Sequence, residues 1–317
     1  MRFLMVTTTT CIISFILSGV FFSFSNFGDL KKEAMSGKFK WVKNFNMNVE
    51  IEEEADWAEK EFRFSDQDLK SVKVKAVASE LVIERANVDE VILSVKMLKE
   101  DLEEDFKAEV SNGILSILDH KEKKDKKLSS LFGEKGSKGS KIKILVPESL
   151  ESSFDLDISF GDIKIKGVSG NDFALEVAAG DIELEDINFL KFVLKAAAGE
   201  VDLNRVSMGE GKIEAAAGDI ELEGVKSKGK LLIEAAAGDI DVEMNQPSPQ
   251  VEITAAAGDI DFSLSEGVDY NFTFRNSTTV GSLELKDGAV SKDGDHVYGN
   301  GEGLVEIETT FGDVEVK

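Results

Sequence analysis

One cysteine and two histidines are all that 317 residues provide: Cys11, His120 and His296. A single cysteine forbids an intrachain disulfide and leaves no thiolate set for a metal. His120 sits in a lysine-rich stretch and His296 in a Gly/Asp-rich one, so neither has a nucleophile beside it for Ser-His or Cys-His catalysis. Glycine motifs for phosphate or dinucleotide binding are also missing. Basic residues are short: 37 Lys and Arg stand against 61 Asp and Glu, a formal net charge of −24. That balance argues against nucleic acid as a partner, because phosphate contacts need the opposite sign. On these grounds we expect no catalytic residues, no cofactor and no metal site.

What is present is a repeat. The phrase Ala-Ala-Ala-Gly-Asp-Ile ends at Ile220, Ile240 and Ile260, with near-copies ending at Ile182 and Val201. A divergent early copy surrounds Gly161-Asp162, and a late one surrounds Gly312-Asp313. The glycines at 161, 180, 199, 218, 238 and 258 are separated by 19, 19, 19, 20 and 20 residues. This period is too short for a domain with its own core. It suits one coil of a solenoid that buries its apolar face against its neighbours. A β-sandwich unit needs about five times as many residues.

Within one unit, Ile213, Ala215 and Ala217 alternate with Glu214 and Ala216, and after Gly218-Asp219 the alternation resumes with Ile220 and Leu222 against Glu221 and Glu223. Period two on both sides of a two-residue break predicts two half-buried strands joined by a corner. The inward phase shifts by one residue there, with Ala215 and Ala217 expected inside and Ala216 outside. Glycine tolerates positive φ, and Asp bonds to local backbone. The expected corner residues are Gly161, Asp162, Gly180, Asp181, Gly199, Glu200, Gly218, Asp219, Gly238, Asp239, Gly258, Asp259, Gly312 and Asp313. Stacking would bring Asp181, Asp219, Asp239 and Asp259 to one edge, roughly 5 Å apart. A nine-residue calcium repeat does not fit this period, so these acids are read as turn formers.

The outside of the coils is expected to be acidic: 23 Asp and Glu against 9 Lys and Arg between Gly161 and Tyr270. Residues 1–25 are apolar after Arg2 and read as a signal peptide or an uncleaved N-terminal anchor helix. Either places the rest outside the cytoplasm. Residues 26–60 read as a linker with a first irregular strand near residues 45–51. Residues 61–317 read as the solenoid, with irregular coils at 61–146, regular repeats at 147–265 and irregular coils at 266–317. Residues 120–141 hold eight lysines and three acids among Gly and Ser, the composition of a solvated loop.

The order of these features resembles the bacterial DUF4097 family of "putative adhesin" β-strand-repeat proteins, which includes LiaG-like envelope proteins. The resemblance rests on Leu145-Val146-Pro147, on Ser159-Phe160-Gly161-Asp162-Ile163 and on the later Gly-Asp units at 180, 218, 238, 258 and 312, and covers roughly residues 60–317. Members carry Thr or Ser before Gly-Asp, where this chain has alanines except at Thr309-Thr310. The resemblance implies a single-stranded β-helix, an envelope location and no established catalysis. The expected fold is an all-β solenoid of 19–20-residue coils. The expected role is structural or adhesin-like, toward an envelope protein or glycan, with residues 1–25 as a possible membrane contact. The alternatives are a regulatory module of an envelope-stress system and a polysaccharide-active enzyme.

Overall fold

Each Gly-Asp pair joins two short strands that belong to different sheets. The computed structural model describes residues 56–119, 139–246, 248–292 and 295–317. The expected N-terminal helix, the strand near residues 45–51 and residues 120–138 of the lysine-rich stretch, His120 included, lie outside these. In the regular part the strand before the glycine joins one sheet: Ser169–Ala179, Asn188–Ala196, Ser207–Ala215, Lys230–Ala235 and Gln250–Ala257. The strand after it joins the second sheet: Ile182–Glu185, Val201–Asn204, Ile220–Ser227, Ile240–Met244 and Ile260–Leu264.

Equivalent residues line up from coil to coil, in parallel. In the first sheet Leu175, Leu194, Ile213, Ile233 and Ile253 are neighbours in that order. In the second, Ile182, Val201, Ile220, Ile240 and Ile260 are. All ten are buried. The protein is therefore all-β, with two parallel, solenoid-like sheets facing each other over one apolar core. Each coil adds aliphatic side chains to columns already begun, each worth about 1.5–3 kcal/mol when fully buried. Phenylalanines fill the first sheet near its start: Phe173 stacks on Phe192 at 5.1 Å, and Phe189 meets Phe154 edge-on at 5.9 Å.

The ends depart from this pattern. Strand Ser71–Ala86 serves both sheets, with Val72 beside Phe154 in the first and Leu81 beside Ile163 in the second. Antiparallel strands Val91–Leu98 and Trp57–Phe64 extend the second sheet, and Lys107–Ser111 extends the first. At the C-terminal end the coils are out of sequence order. Strand Gly303–Phe311 lies between Gln250–Ala257 and Phe272–Val280. Strand Val314–Val316 lies between Ile260–Leu264 and Leu283–Leu285. The last coil in sequence is thus the last but one in space. Gly281 follows Gly258 by 23 residues and Gly312 follows Gly281 by 31, yet in space Gly281 stacks against Gly312, and Gly312 against Gly258.

The corner glycines sit at positive φ, +119° at Gly218 and +128° at Gly238. A Cβ on Gly218 would fall 2.0 Å from the carbonyl oxygen of Gly199. The coils approach so closely here that only a hydrogen fits between them. The alanines before the corner correct the expected phase. Ala215 is buried, but Ala217 is half-exposed and Ala216 is nearly covered. The strand ends at Ala215, so alternation stops there, and the next two residues follow the surface into the turn. A second bend, not anticipated from the repeat, holds Gly167, Asp186, Arg205 and Gly224 in the left-handed region at φ +53° to +73°.

Replacing Gly218 by Ala combines a strained φ with a backbone clash. The expected cost is about 2–4 kcal/mol in thermal or denaturant unfolding. An unchanged midpoint would refute the close corner.

Candidate functional site

The corner aspartates are the residues the repeat singles out, and their carboxylates are already engaged. Each reaches along the stack to the backbone of the next coil. Asp162 Oδ1 accepts from the amide of Asp181 at 3.2 Å, and Asp181 Oδ1 from that of Glu200 at 3.0 Å. Asp219 accepts from Asp239 at 2.9 Å, Asp239 from Asp259 at 2.8 Å and Asp259 from Asp313 at 2.8 Å. Asp313 ends the series on Ser282, taking both its amide at 2.6 Å and its hydroxyl at 2.8 Å. Those bonds hold the Asp313 carboxyl below the usual aspartate range. Asp has the right length for this. Glu200 is one methylene longer, and among the described residues the bond from the Asp219 amide to Glu200 is the missing member. The aspartate was read as bonding locally; it bonds to the adjacent coil instead.

Two residues beyond the corner acids from Asp181 on lies a second acidic column. Glu183, Asp202, Glu221, Asp241, Asp261, Glu315 and Glu284 are cross-strand neighbours in that order, about 4.8 Å apart. Lys164 pairs with Glu183 at one end, and Lys317 with Asp261 near the other. Between them like charges stand side by side. Partial burial, then the neighbouring acids, push the carboxyls of Asp202, Glu221 and Asp241 up from their ordinary values. Toward the C-terminal end, from Glu200 and Glu221 on, the two columns line a shallow groove of about 650 Å³.

The outside of the first sheet is different. There Lys212 bridges Glu214 at 3.1 Å and Glu234 at 3.0 Å, and Lys230 reaches Glu252 at 2.6 Å. Acidity is therefore a property of one face rather than of the whole outside. The signal for this was present in the sequence: from Gly180 to Gly258, Lys recurs in the strands before the glycine and is missing from the four residues after each Gly-Asp or Gly-Glu.

The remaining chemistry is sparse. His296 is half-buried beside Phe274. Arg275 pairs with Asp295 at 3.0 Å, and Arg205 with Asp186 at 2.6 Å. The Arg205 pairing holds the Asp186 carboxyl down, and Glu185 is held down by Lys166 and Arg205. Among the described residues no group of three or more His, Cys, Asp or Glu is arranged to hold a metal.

A family model described as Toastrack DUF4097 matches residues 66–317. Among solved structures, a "putative adhesin" from Bacteroides fragilis NCTC 9343 is 12% identical, covering 83% of this chain and 97% of that one, with a TM-score of 0.51. A "putative lipid binding protein" from Parabacteroides distasonis ATCC 8503 is 18% identical, covers 83% and 97%, and has a TM-score of 0.50. At these identities the likeness concerns the fold alone. A comparison with curated proteins yields no match.

Two outcomes test this arrangement. Glu200→Asp should supply the missing carboxylate and stabilise the protein by about 0.5–1 kcal/mol; a loss of stability would mean that the series does not act as described. The pH dependence has a worked sign. Folded-state pKa values raised at Asp202, Glu221 and Asp241 mean that the folded protein holds more protons, so their contribution is present below the unfolded pKa and lost as pH rises. The lowered groups Asp313, Asp186 and Glu185 contribute above the unfolded pKa and lose that on acidification below about 4. At constant ionic strength the melting temperature should therefore be higher near pH 5 than near pH 7, and Asp241→Asn should narrow the difference. A fall between pH 7 and pH 5 would contradict the acidic column's strain.

Proposed function

The chain belongs to the Toastrack family, DUF4097, and from that premise we propose that it is a non-catalytic scaffold of the bacterial envelope. It is exported, with residues 1–25 as leader or membrane anchor, and presents its coil faces to an envelope protein or glycan in a structural or adhesin-like role. The observation that carries this reading is the engagement of the Gly-Asp corners. The most repeated acids of the chain hold coil to coil through backbone amides, and so serve the stack rather than a reaction. The acids two residues beyond them form a regular array along one face, and a regular array suits extended contact better than it suits one bound small molecule. Solved proteins of the same fold bear adhesin and lipid-binding titles, which agrees with a binding role and names no enzyme. The acidic face would favour a cationic partner surface and repel anionic polymers.

Cell fractionation with intact-mass measurement tests the proposal. The chain should appear in the envelope or extracellular fraction, either starting near residue 26 or full-length in the membrane. A full-length pool in the cytosol would overturn it.

A further inference from the structure

The two ends of the stack are finished differently. At the N-terminal end the outermost strands carry charge: Glu59, Lys60, Glu61 and Arg63 in Trp57–Phe64, and Lys107 and Glu109 in Lys107–Ser111. Charged side chains are a usual protection of an open sheet edge. At the C-terminal end the outermost long strand is Phe272–Val280. The short strand Asp295–Val297 pairs with it at Thr273 and Phe274 only. Among the described residues nothing pairs with the outer side of residues 275–280, nor with that of Leu283–Leu285. Residues 276–283 read Asn-Ser-Thr-Thr-Val-Gly-Ser-Leu and hold no charge, in a chain where 31% of residues are charged. Apolar groups are left partly open beside this edge. Val280 is 55% exposed and Phe311 36%, and Leu283 and Leu285 are half-buried where Val314 and Val316, one coil further in, are covered.

The interior columns also change character here. Ile253 and Ile307 are followed by Asn276, and Ala255 and Thr309 by Thr278. Asn276 Nδ2 bonds to Thr278 Oγ1 at 2.8 Å. A further apolar coil would find polar groups on this end, so the stack is not built to continue in the same manner. What stays available is the backbone of the edge.

The geometry points to self-association through this edge: a second copy of the chain pairs residues 276–280 with the same residues, antiparallel about a two-fold axis. Charge selects this occupant. A chain of net charge −24 repels its copies most along the acidic columns, and the uncharged stretch of this edge is where two copies approach with the least of that penalty. An antiparallel pairing centred on Thr278 sets Asn276 opposite Val280 and Ser277 opposite Thr279, with Thr278 facing its own copy, so no like charges meet. The pairing ends where the chain turns at Gly281, before it would meet the copy's Asp295–Val297.

The test is sedimentation equilibrium of the full-length protein in one nonionic detergent. The wild type should form a reversible dimer at or below about 100 µM. Ser277 and Thr279 are exposed, so the double variant Ser277→Lys/Thr279→Lys should melt as the wild type does while its dimerisation weakens roughly tenfold or more. Val110→Lys, at an exposed residue of the edge strand at the opposite end, should change nothing. In the wild type, amides 276–280 should gain exchange protection as concentration rises, a readout independent of any variant. A monomer at every concentration, a dimer unaffected by the two lysines, or edge amides indifferent to concentration would overturn the inference.

Discussion

Coil-to-coil contact at the glycine corner is the constraint on which the rest of the molecule depends. There a carbonyl of one coil occupies the space that a side chain of the next would need, 2.0 Å from the Cβ position at Gly218 and 2.1 Å at Gly238. The glycine admits this approach, and the coil-to-coil hydrogen bonds beside it, from the amides of Gly218 and Ile220 to the carbonyls of Ala237 and Asp239 at 3.1 and 2.9 Å, fix the axial spacing. With the spacing fixed, Ile meets Ile and Leu meets Leu in the core. On the surface each corner carboxylate falls within reach of the next amide. The aliphatic columns and the aspartate series are both consequences of one backbone contact repeated along the stack.

Much of this was legible in the sequence because a repeat writes its own register. The 19–20-residue period, the alternation around Gly218-Asp219 and the columns through Ile213 and Ile220 all follow from spacing. Three things were not legible. Ala217 looked inward by parity, but parity holds only while a strand lasts, and this one ends at Ala215. The aspartates looked like local turn formers, because a bond to a residue 19 or 20 positions away leaves no mark in a single copy. The exchanged order of the last two coils leaves none either: Gly312 has the same local neighbours whether it follows Gly258 or Gly281 in space. The acidity was read as a property of the whole outside of the coils, although the absence of Lys from the strands just after the corners from Gly180 to Gly258 was there to be found.

The two faces show a division of labour. On the first sheet, lysines interleaved with acids between coils neutralise the ladder; on the second, the lysines stand at the ends, Lys164 and Lys166 at the first coil and Lys317 at the last, and the coils from Gly180 to Gly258 carry none between. Repulsion along the second face works against the hydrophobic columns beneath it. The fold tolerates this because a pair of like charges at strand spacing costs about 1 kcal/mol in water, whereas each fully buried aliphatic side chain in the columns contributes about 1.5–3 kcal/mol.

The inserted coil also bears on how the chain comes to be folded. A linear stack can grow from its first coil, each new turn settling on the one just completed. That process stalls after Leu264. The segment Phe272–Val280 is made before the strand it rests on, since Gly303–Phe311 separates it from the stack. Until the final fifteen residues arrive, it has no seat. The C-terminus therefore acts as a keystone, placed last and bearing on both sides, and a chain shortened by those residues would lose two coils rather than one.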